Sequence, residues 1–298
     1  DSMAVCPPIS LSDSVVEQVV RHSVNIAREL NVIGLMNIQF VLDGDQVQVL
    51  EVNPRASRTV PYLSKITGVP MVQVATNIML GQTLAEQGYG SGLLPDRGMY
   101  AVKAPVFSFA KLTEVDVALG PEMKSTGEIM GVDFQFEQAL YKAMVASGVD
   151  VPDRGRIIIT VADRDKEEAL EIARGFQDLD FRIYATAGTG AFLRSRGIEA
   201  LTVRKISEGS PNLLDLVRSR KVDALINTVS NDKRSEQEAA IIRKSSVQHQ
   251  IPCLTSLDTA RALLVALQSR RRGDASSCLP INEYLHQPAG VAAAGGSE

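Results

Sequence analysis

Residues 37–61 read NIQFVLDGDQVQVLEVNPRASRTVP. Two apolar-alternating runs flank the turn Asp43-Gly44-Asp45, a pattern that predicts a β-hairpin. Side chains two apart on a strand share a face at roughly 6–7 Å. Glu51 and Asn53 therefore point the same way, and Gln39 on the partner strand lies nearly opposite. Ile38, Phe40, Leu42, Leu50 and Val52 fall on the other face, which is expected to be buried. One carboxylate and two amide oxygens on a sheet face form a hard-oxygen site. Such a site suits Mg²⁺, which takes few protein ligands and completes its shell with phosphate and water. Arg55, just past the strand, can neutralise phosphate charge that a metal leaves uncovered. The same residue types also suit an ordinary solvated strand face.

The chain of 298 residues is long enough for two domains with separate cores. Its composition, 45% apolar and 22% charged, is that of a globular protein. No apolar run reaches the length needed to span a bilayer, and the N-terminus shows no charged-then-apolar leader, so a cytoplasmic protein without a membrane partner is expected. A net charge of −4 without a basic patch argues against a nucleic-acid partner. Arg270-Arg271-Arg272 ends an expected helix, where it complements the helix dipole. Cys6, Cys253 and Cys278 are scattered, and the three histidines are too few for a histidine metal centre.

A helix is expected over 12–30, with Ser12 as N-cap and Val15, Val16, Val19, Val20, Ile26 and Ala27 as its apolar stripe. Helical stretches follow the hairpin at 60–67 and 69–80. Residues 102–109 and 114–119 look extended, and 134–147 helical. A boundary falls near 148–155. Beyond it, strands at 156–161, 181–185, 201–206, 224–227 and 253–256 alternate with helices at 166–177, 191–196, 212–218, 236–247 and 257–268. That alternation predicts a doubly wound parallel sheet. The Ala- and Gly-rich tail from Pro288 is expected to be disordered.

Open parallel sheets bind ligands beyond the carboxyl ends of their strands. Thr186-Ala187-Gly188-Thr189 follows one strand and opens a helix, where hydroxyls and backbone N–H groups can cradle an anion. Asn227-Thr228-Val229-Ser230 follows another. Lys205 ends a third strand, and Lys166 starts the helix after the first. Singly, each is an ordinary helix cap; converging on one rim, they suit a phosphorylated ligand.

Taken in order, these features resemble the C-terminal part of the carbamoyl phosphate synthetase large subunit. The resemblance runs from Asp1 to about Leu285. It is carried by GLMNIQF (34–40), LEVNPRASRTVPYLSKITGVP (50–70), GPEMKSTGEIMG (120–131), TAGT (186–189) and INT (226–228). It implies an α/β chain: the C-terminal portion of an ATP-grasp α+β domain over 1–150, a methylglyoxal synthase-like allosteric domain over 151–285, and a tail over 286–298. The implied activity is that of an ATP-dependent ligase, the phosphorylation of carbamate by MgATP in a glutamine-dependent synthetase of arginine and pyrimidine biosynthesis. By matching position, Gln39, Glu51 and Asn53 hold two Mg²⁺ or Mn²⁺ ions, with Glu51 bridging them. Arg55 contacts the transferring phosphoryl group, and K⁺ is a further implied cation. Lys166, Thr186, Thr189, Lys205, Asn227 and Thr228 hold a nucleotide effector such as UMP or IMP. The implied partners are the glutaminase small subunit and the upstream part of the large subunit.

The chain departs from that family in several places. It begins inside the second ATP-grasp half, so the elements that grip the nucleotide lie upstream and turnover by this piece alone is not expected. Val229 stands where some members have a second Thr, and Ala187 where some have His. Ala104 follows Val102-Lys103, where ornithine-activated members carry an acid, although Asp1 matches another residue of that site. Methylglyoxal synthases themselves work with acidic bases and a histidine. The only histidine in this sheet region, His249, falls late in a helix, so a regulatory module is the expected role. A stand-alone nucleotide- or phosphate-sensing module is the alternative. A carboxylase of the ATP-grasp class would not normally carry the second domain.

Overall fold

The computed structural model describes residues 1–108, 118, 120, 122–229 and 232–286. The extended segment expected at 114–119 lies largely outside these residues, as do Phe109, Pro121, Ser230 and the tail from Pro288. Two compact units are present. One comprises Asp1–Ala4 with Val102–Ser276, the other Val5–Ala101 with the stretch from Ser277.

The chain opens with β1 (Ala4–Cys6), a strand too short to show alternation, and continues into α1 (Asp13–Glu29). Ser12 caps α1 by accepting the Val15 N–H at 3.4 Å. The hairpin follows as β2 (Asn37–Asp43) and β3 (Gln46–Asn53), then α2 (Thr59–Thr67) and α3 (Met71–Met79). The helix expected from residue 69 starts at Met71, because a residue before proline is disfavoured in the helical region and Pro70 fills the N-cap position. Tyr62 on α2 is buried and donates its hydroxyl to the Ala101 carbonyl at 2.7 Å. Burial pushes the Tyr62 phenol well above its ordinary pKa of 10, and the nearby Cys6 adds to the shift.

The apolar face expected on the hairpin is not buried. Gln39 pairs with Glu51, but Phe40 pairs with Val49, so Leu50 is the extra residue of a β-bulge. The bulge resets the parity of β3, bringing Val47 and Val49 opposite Leu42 and Phe40 in place of Leu50. Leu50 is 66% exposed, and Val41, Leu42 and Val49 are also exposed. In the same unit Leu30, Ile33, Met79 and Leu80 are exposed.

Next along the chain is β4 (Tyr100–Val106), which lies between β1 and β5 (Gly127–Asp133) in a three-stranded sheet. α4 (Phe136–Ala146) packs against β5. A Cβ at Gly131 would lie 2.2 Å from the Ala139 carbonyl oxygen, so glycine is what lets the α4 backbone approach β5.

There follow β6 (Arg156–Thr160), α5 (Lys166–Asp178), β7 (Arg182–Ala185), α6 (Ala187–Ser195), β8 (Ala200–Thr202), α7 (Leu213–Arg218) and β9 (Ala224–Asn227). The chain then forms α8 (Lys233–Gln248), β10 (Cys253–Leu254), α9 (Leu257–Arg272) and α10 (Ile281–His286). The five strands form a parallel sheet in the order β10-β9-β6-β7-β8. Ile157, Ile158 and Ile159 of β6 and Ala224, Leu225 and Ile226 of β9 are all buried, the continuous apolar run of a sheet covered on both faces. Ile158 and Leu225 share a core with Leu213 and Val217 of α7 and Ile242 of α8. α5 packs closely on α9, where a Cβ at Gly175 would meet Leu264 at 2.4 Å.

The strand expected at 201–206 is shorter. The chain leaves the sheet after Thr202, and Arg204 bridges to Asn212. Lys205 then caps a turn of 3-10 helix, its N–H donating to Glu208 Oε2 at 2.9 Å. No helix among the described residues is long and apolar enough to cross a membrane.

Candidate functional site

Successive strands are added to one side of β6 and then to the other, which leaves a crevice at the carboxyl ends of β6, β7 and β9. A cleft of about 680 Å³ occupies it. Thr160, Thr186 and Asn227 line the cleft from these three strand ends, and Lys166, Thr189, Lys205 and Thr228 join them. All six effector-binding residues expected from the sequence thus meet at one place.

Each is held by local structure. Thr186 is the N-cap of α6, and its carbonyl accepts the Gly190 N–H at 2.7 Å. Thr189 lies in the first turn of that helix, whose leading N–H groups have no partner within the helix. The helix expected over 191–196 starts earlier, at Ala187, so that Gly188 and Gly190 are helical. Gly190 avoids Arg194, whose Nη1 would sit 3.0 Å from an added Cβ. Thr228 Oγ1 accepts the Ala162 N–H at 2.9 Å, tying the end of β9 to the loop after β6. Asn227 Nδ2 approaches the Thr160 carbonyl at 3.4 Å, and its Oδ1 accepts from Arg243 Nη1 at 2.9 Å.

The cleft also contains groups that the sequence did not single out. Asp163, Ser207 and Glu208 line it from short 3-10 turns, and α8 contributes Ser235, Glu238, Ala239 and Ile242. Asp232 lines it as well and caps α8, accepting the Ser235 N–H at 2.8 Å. Lys166 Nζ lies 2.6 Å from Asp163 Oδ1. That hydrogen bond and the ammonium charge, with a smaller contribution from Lys205, hold the Asp163 carboxyl below its ordinary pKa of 3.8. An anion entering the cleft therefore competes with Asp163 for Lys166. Among chemistries open to it, the cleft can bind phosphate through two ammonium groups, three buried threonines and a helix N-terminus.

The hairpin site is of a different kind. Gln39 stands directly opposite Glu51 in the register, and Asn53 Nδ2 donates to Glu51 Oε1 at 2.8 Å. Arg55 Nη1 donates to the Ala56 carbonyl at 3.0 Å, and its Nη2 lies 3.5 Å from Asn53 Oδ1. The structure thus brings Gln39, Glu51, Asn53 and Arg55 together. As a donor set, one carboxylate and two amides fit a hard divalent cation. Asn53 now turns its amide N–H to Glu51, so ligation requires that amide to rotate. No group of three or more His, Cys, Asp or Glu side chains suited to a metal occurs among the described residues.

Asp1 and Ala104 line a second cleft, of about 400 Å³, together with Phe107, Cys253 and Thr255. Asp1 Oδ2 accepts the Lys124 and Ser125 N–H groups at 2.6 and 3.0 Å, anchoring the segment before β5. His249 caps the end of α8 and contacts the Ser245 carbonyl through Nδ1 at 2.8 Å; it does not line the main cleft.

Comparison with known proteins gives two family matches. Residues 1–87 match the carbamoyl-phosphate synthase L chain, ATP binding domain, and residues 168–255 match the MGS-like domain. Among solved structures, methylglyoxal synthase from Elizabethkingia anophelis NUHP1 is 20% identical, with a TM-score of 0.32. The match covers 38% of this chain and 79% of that one. An ATP-binding segment of this ligase family followed by an MGS-like domain matches the C-terminal part of a carbamoyl phosphate synthetase large subunit.

Proposed function

We propose that the chain serves a glutamine-dependent carbamoyl phosphate synthetase in two capacities, with the effector cleft as the part built to act within this piece. The observation that carries this reading is the convergence of Lys166, Thr186, Thr189, Lys205, Asn227 and Thr228 on one cleft at the strand ends. In it the α6 N-terminus and the threonine hydroxyls hold the phosphate of a nucleotide such as UMP or IMP. Lys166 and Lys205 neutralise its charge, and the rest of the cleft takes ribose and base.

The hairpin contributes to phosphorylation of carbamate by MgATP. Gln39, Glu51 and Asn53 would hold Mg²⁺ or Mn²⁺, which when bound supplies charge neutralisation at the phosphoryl oxygens. Arg55 orients and neutralises the same group through its guanidinium donors. The exposed apolar residues of this unit, Leu30, Ile33, Val49 and Leu50 among them, support docking of the upstream part of the large subunit, with turnover requiring it. The glutaminase subunit, K⁺ and a cytoplasmic setting belong to this reading as expectations from the sequence resemblance.

A second reading, a nucleotide- or phosphate-sensing module without catalysis, has one observation in its favour. The cleft lies wholly within one unit, whereas the hairpin site is open to solvent. Titration of UMP and IMP, with carbamoyl phosphate synthesis assayed with and without the upstream polypeptide, separates the two. Effector binding with activity restored by the upstream part supports the first reading. Effector binding with no activity under either condition supports the second. Absence of binding rejects both.

A further inference from the structure

The largest fully enclosed side chain among the described residues is Arg243 of α8. It does not line the cleft, although its neighbour Ile242 does. A guanidinium offers five N–H donors and no acceptor, and burying one is costly unless it is paired. Here Nη1 donates to Asn227 Oδ1 at 2.9 Å, and Nη2 pairs with the Glu236 carboxylate. Glu236 balances the charge, so Arg243 acts on the cleft through contact with Asn227 more than through its field.

That contact has a directional consequence. Because the guanidinium can only donate, the Asn227 atom facing it must be the acceptor oxygen. The Nδ2 group is then forced to the opposite edge, where its approach to the cleft-lining Thr160 carbonyl is long, at 3.4 Å. Asn227 is 4% exposed and sits in the cleft wall, so its amide has little freedom to turn over.

We infer that Arg243 is a positioning residue. From behind the wall it fixes Asn227 as a hydrogen-bond donor and so selects ligands that present an acceptor oxygen, from phosphate or carbonyl, at that point. The inference rests on the proposed reading of the cleft and deepens it. A ligand that presents N–H there meets two donors face to face and is disfavoured.

The test is a double-mutant cycle read by calorimetric titration of UMP, IMP and inorganic phosphate into the full chain. The Glu236→Gln/Arg243→Met pair removes the guanidinium without leaving a carboxylate unpaired. This pair and Asn227→Ala should each weaken binding on the order of tenfold. Their combination should be no weaker than either alone, since both act through one amide. Additive losses would mean that Arg243 merely supports the fold, and would overturn the inference. If the paired variant fails to fold, Asn227→Asp decides. It keeps an oxygen toward Arg243 and should melt no lower than the wild type, yet it puts an oxygen where the donor stood and should lose binding. Unchanged affinity in Asn227→Asp would overturn the inference. A wild type that binds none of the three ligands overturns the reading of the cleft and the inference with it. Binding with an additive cycle overturns the inference alone.

Discussion

The hairpin and the cleft both gather polar side chains at a sheet, but they do so by different means. On the hairpin, Asn53 contacts Glu51 two residues away and Arg55 two residues further on, all on exposed or half-buried backbone. In the cleft, Thr186, Thr189, Asn227 and Thr228 are buried and come from separate strands and one helix start. Local sequence can assemble the first site, whereas only the folded sheet can assemble the second. A site held by neighbours in sequence can be present yet loosely defined, while one held by a buried core is preorganised. The cleft is therefore expected to bind its ligand in this chain as it stands, and the hairpin to need further surfaces.

The largest expected effects lie in the core beneath the cleft. Ile158→Ala should destabilise its unit by about 2–4 kcal/mol and impair effector binding, because the residue is fully buried between β6 and α7. Leu50→Ser at the bulge should change stability by less than about 0.5 kcal/mol, since Leu50 packs little. Paired urea melts of the two variants test the contrast. Equal losses would show that the hairpin is as firmly built as the sheet. A smaller effect separates the ligands: Glu51→Gln should weaken Mn²⁺ binding, followed by electron paramagnetic resonance, while leaving UMP or IMP binding unchanged.

The smallest effect sharpens the electrostatics of the cleft. Asp163→Asn removes the anion that competes for Lys166 and should raise phosphate affinity a few-fold, as an exposed ion pair is worth little. The Asp163 carboxyl is held below its ordinary value, so its pairing contributes at and above pH 3.8. That contribution is lost as pH falls through the depressed folded value. Acid titration of stability should therefore lose a small low-pH component in the variant. Identical acid limbs would contradict the pairing.

The parallel sheet was legible because its strands are buried on both faces and read as apolar runs, and the polar residues that end those runs mark the rim. Asn227 and Thr186 could be placed on the site from that pattern alone. The bulge at Leu50 left a trace that the hairpin reading passed over, since the alternation over 46–53 breaks at the adjacent apolar pair Val49-Leu50, where the register shifts. β1 is three residues long and exists only through its sheet partner. Arg243 was hidden for a different reason. In sequence an arginine on a helix reads as solvated, and only the fold shows it enclosed against Asn227 and Glu236. The loop acids Asp163 and Glu208 lie in turns whose direction depends on the ends of the strands they follow.

The central claim is that the cleft binds a nucleotide phosphate. Its most direct test is calorimetric titration of UMP and IMP into the whole chain, the Lys205→Ala and Thr189→Ala variants, and Glu51→Ala as a control on the other unit. The account predicts saturable binding of at least one nucleotide, abolished by either cleft substitution and untouched by Glu51→Ala. Absence of binding, or binding indifferent to Lys205 and Thr189, would contradict it.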